Sequence, residues 1–147
     1  MTKKQLEHDF KTNRLSSSYL ICTDDVDKAS DEVKDFVFRH LIDGNAHSNP
    51  DFLLVKKIDN QVKNISVDQI RALQKFLYRT SVISGRRVAL VHSADQMNLN
   101  AANSCLKVLE DTPSGAFIFL ITNFLGNIIP TIRSRCKIIN FHYHVVI

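Results

Sequence analysis

The chain has 147 residues, of which 44% are hydrophobic, so it is long enough for one domain with a sizeable core and too short for two ordinary domains. Its formal charge is +4, but the lysines and arginines are scattered, which favours an ordinary solvated surface over a dedicated nucleic-acid patch. No apolar run approaches the ~18 residues of a membrane span, and residues 1–8 lack the apolar core of a signal peptide, so we expect a cytoplasmic protein without membrane contact.

A first strand and an amphipathic helix follow a polar segment at residues 1–18. Tyr19-Leu-Ile-Cys22 is a short apolar run of strand length, and it ends at Thr23. Apolar side chains then recur at helical spacing until Gly44, which is typical of a helix C-terminal stop. The buried face of this helix is predicted to comprise Val26, Ala29, Val33, Phe36, Val37 and Leu41.

Two more strands are predicted on either side of a capped helix. Residues 51–56 and 87–91 are apolar runs of strand length. Between them, Ser66-Val-Asp-Gln69 is a capping box, in which the serine and glutamine side chains each satisfy a free backbone N–H. The helix that it opens is predicted to bury Ile70, Leu73, Phe76 and Leu77 and to expose Arg71, Lys75 and Arg79.

The last third of the chain predicts a helix, two strands and a connector. Pro113 and Gly115 end the helix, whose buried face we assign to Leu99, Ala102, Leu106 and Leu109. Residues 117–121 are apolar on both faces, which suits a parallel strand that helices cover on both sides. A connector at residues 127–133 and a fifth strand at residues 136–141 follow.

Five short strands that alternate with helices predict an α/β fold of three layers, a five-stranded parallel sheet with helices on both faces. Ligands of such sheets bind at the carboxyl ends of the strands. The ends of the first and third strands therefore decide whether this chain can use a nucleotide.

The turn after the first strand lacks the features of a phosphate-binding loop. A P-loop NTPase places G-x-x-x-x-G-K-[ST] there, because glycines let backbone N–H groups surround the phosphates. Residues 23–30 contain no glycine, and Lys28 is the only remnant of the motif. Asp24, Asp25 and Asp27 repel the phosphate that a helix N-terminus otherwise attracts. We therefore predict a degenerate Walker A element that binds no ATP.

The third strand ends without the acids of an ATPase. An active enzyme needs two of them here, one to organise Mg²⁺ and one to polarise the attacking water. This chain has His92 and Ser93 instead, which predicts a degenerate Walker B element. A single histidine at a strand end is more typical of a structural hydrogen bond than of a metal ligand. The three cysteines, Cys22, Cys105 and Cys136, are widely spaced, so we predict neither disulfides nor a metal site.

Three segments together resemble a known family. Leu106-Lys-Val-Leu-Glu-Asp-Thr-Pro113, Phe119-Leu-Ile-Thr122 and Ser134-Arg-Cys136 are similar, in order and spacing, to the AAA+ core of bacterial clamp-loader subunits of DNA polymerase III, most of all to the delta-prime type. The resemblance covers about residues 14–141. It implies a degenerate P-loop NTPase core of the RecA-like type.

The resemblance implies a non-catalytic role in DNA replication. It makes Arg135, within Ser134-Arg-Cys136, an arginine finger that acts in trans on a neighbouring ATPase subunit during sliding-clamp loading, with Arg133 as a second candidate of lower weight. It also implies a sensor-1-like position for Thr122 and Asn123. The implied partners are ATPase subunits of the gamma/tau type and a delta-type subunit, with indirect contact with DNA. ATP is bound by the neighbour, and no cofactor is expected in this chain.

Other interpretations stay open from the sequence. Arg135 can instead form an ordinary surface ion pair, and the chain can be a stand-alone or vestigial domain that binds nucleic acid weakly or not at all; an active ATPase is the least supported. Full-length members of the family continue into a helical lid and a helical collar. Residues 1–147 predict a single AAA+-like domain without either, so we expect a truncated form or a shortened gene product.

Overall fold

The computed structural model describes residues 2–45, 47, 49–79 and 85–144. Within these residues all the strands belong to one five-stranded sheet, in which every neighbouring pair is parallel. The strands are β1 (Ser18–Thr23), β2 (Phe52–Val55), β3 (Arg87–Val91), β4 (Ala116–Thr122) and β5 (Lys137–Phe141). Their spatial order is β2-β3-β4-β1-β5. The predicted α/β class is confirmed.

Helices cover both faces of the sheet, which gives the three predicted layers. They are α1 (Lys4–Lys11), α2 (Val26–His40), α3 (Val67–Tyr78), α4 (Leu99–Glu110) and α5 (Pro130–Arg133). One hydrophobic core lies between the sheet and α3, α4 and α5, and a second lies between the sheet and α1 and α2. None of the described helices combines the length and apolarity that crossing a bilayer requires.

The central strands are apolar at successive positions because both of their faces are buried. In β1, Leu20 packs into the core under α3 and α4, whereas Tyr19 and Ile21 pack into the core under α1 and α2. All three side chains are fully buried. A strand with a helix on each side cannot alternate apolar and polar residues, so the run at residues 19–22 reads as continuous rather than periodic.

The second strand is shorter than predicted. It spans Phe52–Val55 rather than residues 51–56, and it lies at the edge of the sheet, where β3 is its one partner among the described strands. The carbonyl of Lys56 accepts a hydrogen bond from the side-chain amide of Gln69. This carbonyl therefore bonds to the start of α3 instead of to the sheet.

The predicted buried face of the helix at residues 99–110 is partly wrong. Leu99 is 67% exposed and Leu106 is only partly buried. The observed stripe is centred on Cys105, and on an ideal helix Leu99 and Leu106 lie roughly 100–120° away from it. The buried side chains of α4 are Ala101, Ala102, Cys105, Val108 and Leu109.

A buried carboxylate attaches α1 to the sheet, a contact that the sequence pattern does not indicate. Asp9 is 2% exposed and accepts hydrogen bonds from the Tyr19 hydroxyl, the Gln5 amide and the Lys137 ammonium, each at 2.7 Å. These donors belong to β1, α1 and β5. Burial and the nearby Asp9 carboxylate raise the pKa of Tyr19, so its hydroxyl stays a proton donor.

The capping box of α3 forms as predicted and supports a first testable result. The Gln69 N–H donates to the Ser66 hydroxyl at 3.2 Å, and the Ser66 N–H donates to the Gln69 side chain at 3.0 Å. Ser66→Ala should lower the free energy of unfolding by about 1 kcal/mol, because one backbone N–H at the helix start loses its acceptor. Chemical denaturation measures the change, and Ser114→Ala at an exposed turn is the control. Equal stabilities of the two variants would contradict the capping role.

Candidate functional site

The carboxyl ends of β1 and β3 lie where a nucleotide would bind in a sheet of this kind. Only Asp24 and Asp25 separate the end of β1 from the start of α2. A P-loop spreads eight motif positions across this junction so that its backbone can surround phosphate groups. The Asp25 carboxylate accepts a hydrogen bond from the Lys28 backbone N–H at 3.1 Å. One of the N–H groups at the start of α2 that a phosphate would need is therefore already bonded to a carboxylate.

The segment after β5 packs against the same turn. The Asp24 carboxylate accepts hydrogen bonds from the backbone N–H groups of His144, at 2.9 Å, and Tyr143, at 3.0 Å, and these bonds hold the pKa of Asp24 below its usual value. The ammonium of Lys28 lies 5.8 Å from the centre of the Tyr143 ring. The one lysine left from the P-loop pattern therefore faces an aromatic ring.

His92 joins the end of β3 to the start of α2. Its Nε2 lies 2.9 Å from the Asp27 carboxylate, and its Nδ1 lies 3.1 Å from the Ser93 hydroxyl. Both ring nitrogens are engaged by protein groups, which is the geometry of a structural hydrogen-bonded histidine. Ser93 has a φ of +59°, in the left-handed region, where the chain leaves β3 and enters a short 3₁₀ turn.

The predicted sensor position at the end of β4 divides into a buried and an exposed residue. Thr122 is fully buried, and its hydroxyl donates to the Asp95 carboxylate at 2.7 Å and accepts from the Phe124 N–H at 3.0 Å. Asn123 is exposed. Thr122 thus links β4 to the turn after β3, a contact between distant residues that sequence spacing does not reveal.

No group of three or more histidine, cysteine, aspartate or glutamate side chains is placed to hold a metal in the part of the chain that the structure describes. Cys22, Cys105 and Cys136 are free. Burial raises the pKa of Cys105 and of Cys136 to about 12, so both stay protonated thiols at neutral pH. Cys136 packs against the core under α3 and α4 and so anchors the tip that precedes β5.

The Ser-Arg-Cys tip, residues 134–136, has a well-fixed backbone. The Arg135 N–H donates to the Ile132 carbonyl at 3.0 Å, and the Arg135 carbonyl accepts from the Ser18 hydroxyl at 3.1 Å. The Ser134 hydroxyl donates to the Thr131 carbonyl at 2.9 Å. The tip is thereby attached both to α5 and to the start of β1.

The two arginines of this region differ in exposure. The Arg135 side chain is 50% exposed, and one of its guanidinium nitrogens lies 3.3 Å from the Glu110 carboxylate. Arg133 is partly buried, and its Nε is enclosed without a hydrogen-bond partner among the described residues. Arg135 is therefore the more accessible cation, with an exposed ion pair that contributes only about 0–1 kcal/mol to stability.

The fold is the three-layer α/β fold that the sequence predicts, and a comparison with protein families shows to which family the chain belongs. The chain belongs to the family described as DNA polymerase III, delta subunit, whose model matches residues 1–144. The resemblance found in the sequence is confirmed.

The curated relatives are longer proteins, of which this chain matches only a part. The chain is 38% identical over 91 residues to DNA polymerase III subunit delta' of Pseudomonas aeruginosa, and 36% identical over 94 residues to that of Bacillus subtilis. These alignments cover 62% and 64% of this chain but only 27% and 28% of the relatives. The chain therefore spans little more than a quarter of their length.

Several solved structures share the fold, including the following two. A gamma subunit-related protein of DNA polymerase III from Thermotoga maritima matches with a TM-score of 0.77 and 28% identity, over 97% of this chain and 46% of that one. The DNA clamp loader delta protein of Bacillus subtilis matches with a TM-score of 0.67, over 96% of this chain and 42% of that one. Its identity is 8%, so this second match shows the fold alone.

Proposed function

We propose that this chain is the nucleotide-binding-type domain of a delta-prime-like clamp-loader subunit, which works in the cytoplasm in DNA replication. It does not hydrolyse ATP itself. It supplies Arg135 in trans to ATP held by a neighbouring ATPase subunit during the loading of a sliding clamp. Family membership supports the clamp-loader role, and the observation that carries the finer proposal is the half-exposed Arg135 guanidinium on a fixed backbone.

The geometry of the nucleotide position supports the loss of catalysis in this chain. The junction between β1 and α2 has two residues where a P-loop motif needs many more, and both are acidic. An active ATPase has a carboxylate for Mg²⁺ at the end of β3. This chain has His92 there, and its ring bonds to Asp27. The Walker A and Walker B positions are degenerate in this proposal, and the chain holds no nucleotide.

The chemistry of arginine explains why the tip can act while the nucleotide position cannot. A guanidinium stays charged at every physiological pH, and its planar fork of N–H groups can contact two phosphate oxygens together. An arginine supplied in trans stabilises charge on a transferring γ-phosphoryl group, with general effects of about 10³ to 10⁵ in rate. Arg133 is the weaker candidate for the arginine finger, because its Nε is enclosed.

The proposed partners are those of the clamp-loader class. They comprise ATPase subunits of the gamma/tau type and a delta-type subunit, with indirect contact with DNA. In this proposal, residues 1–147 form one AAA+-like domain, and a lid and a collar complete the subunit. The exposed ion pair of Arg135 contributes little to the stability of the domain. This favours a role for Arg135 in contact with a partner subunit.

Two measurements test the proposal: formation of the complex and stimulation of ATP hydrolysis by the added subunit. A subunit that carries this domain, followed by the lid and collar of a delta-prime relative, is mixed with a gamma-type ATPase subunit, a delta-type subunit, clamp and primed DNA. We expect co-elution in one complex and ATP hydrolysis that depends on the added subunit. A complex that forms without it and hydrolyses ATP equally fast would contradict the proposal.

The absence of nucleotide binding is a second testable result. Titration of the chain with ATP and Mg²⁺ in a calorimeter should give no saturable heat, because three aspartates and no glycine occupy residues 23–30. A gamma-type ATPase subunit titrated in the same buffer is the positive control. Micromolar affinity for this chain would overturn the result.

A further inference from the structure

We propose that Glu110 is a positioning residue for Arg135, whose carboxylate holds the guanidinium at the surface of the tip with its remaining N–H groups available to a phosphate. This inference rests on the proposed trans role of Arg135 and adds a second residue to it. The pair joins two elements, since Glu110 is the last residue of α4 and Arg135 follows α5.

The contact between the two side chains is single. Nη2 of Arg135 lies 3.3 Å from Oε1 of Glu110, and no other described residue forms an ion pair with this guanidinium. A guanidinium carries five N–H donors on three nitrogens. One engaged nitrogen therefore leaves donors on Nη1 and Nε, and these can contact two oxygens of a phosphate at the same time.

The backbone is held by hydrogen bonds at both residues of the pair. The position of the Arg135 guanidinium therefore depends on the rotamer of its side chain. Arg135 is held through its N–H by Ile132 and through its carbonyl by Ser18. Glu110 closes the last turn of α4, where the Asp111 N–H donates to the Val108 carbonyl at 3.3 Å. A long side chain on a fixed backbone loses rotamer freedom when it meets a ligand, and a partner that restricts it beforehand reduces that loss.

The exposure of the pair suits positioning rather than permanent locking. The two side chains are 50% and 45% exposed, so water screens their attraction. A phosphate, which carries more charge than a carboxylate, can then take the free edge of the guanidinium without first breaking a buried bond. Glu110 acts through Arg135 and touches no reacting atom in this scheme.

The test compares Glu110→Gln with a matched control in the reconstituted loader described above, in which the other ATPase subunits carry inactive P-loops so that one ATP site gives the signal. Glutamine keeps the shape of the side chain and removes its charge. We expect kcat for stimulated ATP hydrolysis to fall three- to tenfold while KM for ATP and assembly are unchanged, because the nucleotide is bound by the neighbour. Glu32→Gln is the control, since Glu32 forms an exposed pair with Lys3 at the same 3.3 Å distance on another face, and it should keep the wild-type rate.

A double variant separates positioning from other effects. In the Arg135→Ala background, Glu110→Gln should cause no further loss, because a residue that acts through Arg135 has nothing left to position. A further loss in that background, a wild-type rate for Glu110→Gln alone, or a faster rate would each overturn the inference. If Glu110→Gln is normal while Arg135→Ala is slow, only the positioning role falls; if Arg135→Ala is also normal, the finger and its positioning residue both fall.

Discussion

Arg135→Ala is expected to slow clamp- and DNA-stimulated ATP hydrolysis by about 10³-fold at the neighbouring ATP site that we propose Arg135 serves. In the proposed role, the substitution removes a charge-assisted contact that is made fully only when the γ-phosphoryl group is transferred. The measurement needs a loader in which the other ATPase subunits carry inactive P-loops, so that hydrolysis at the adjoining site is the whole signal. Assembly should persist, because the backbone of the tip keeps its bonds to Ile132 and Ser18.

Two controls accompany this experiment. Arg133→Ala should have a smaller effect on the rate than Arg135→Ala, because the Nε of Arg133 is enclosed. Arg135→Ala in the 147-residue chain should change the free energy of unfolding by no more than about 0.5 kcal/mol, as is usual for exposed side chains. Wild-type hydrolysis and clamp-loading rates for Arg135→Ala would leave this residue as an ordinary surface arginine.

Asp9→Asn is expected to lower the free energy of unfolding by about 2–4 kcal/mol at neutral pH, more than Ser66→Ala does. The carboxylate accepts from Tyr19, Gln5 and Lys137, whereas an amide offers one acceptor oxygen and turns its own donors toward these groups. The Tyr19 hydroxyl loses part of its bonding in a fully buried position. Chemical denaturation of wild type and variant measures the difference.

The pH dependence of this loss follows from the pKa of Asp9. Burial raises this pKa, but hydrogen bonds from Lys137, Gln5 and Tyr19 outweigh burial and hold it below its ordinary value of 3.8. The unfolded chain therefore binds this proton more tightly, so the stabilisation is fully present above about pH 4 and is lost as the pH falls through the folded pKa. The stability difference between wild type and Asp9→Asn should shrink below about pH 4.

An exposed acid supplies the control for the buried one. Asp31 lies on the exposed side of α2, and Asp31→Asn should leave stability within about 0.5 kcal/mol of wild type. A loss for Asp9→Asn as small as that for Asp31→Asn would show that the buried network contributes little. An unchanged difference between pH 7 and pH 3 would contradict the depressed pKa.

The sequence by itself determined the features that depend on near neighbours in the chain. The uninterrupted apolar run at residues 117–121 predicts a strand buried on both faces, because it has the length of a strand and is rich in aromatic and β-branched side chains. The capping box at Ser66 and Gln69 needs only residues three apart, and it forms as predicted. The missing glycines of residues 23–30 are likewise visible without any structure.

The tertiary structure decided which distant side chains meet. Asp9 and Lys137 are 128 residues apart, His92 and Asp27 are 65 apart, and each pair lies within hydrogen-bond distance. The order β2-β3-β4-β1-β5 creates the first contact by placing β5 beside β1 under the N-terminal helix, and no local pattern encodes that order. The exposure of Leu99 has the same cause, because the face of α4 that is buried depends on how the helix packs against α3 and the sheet.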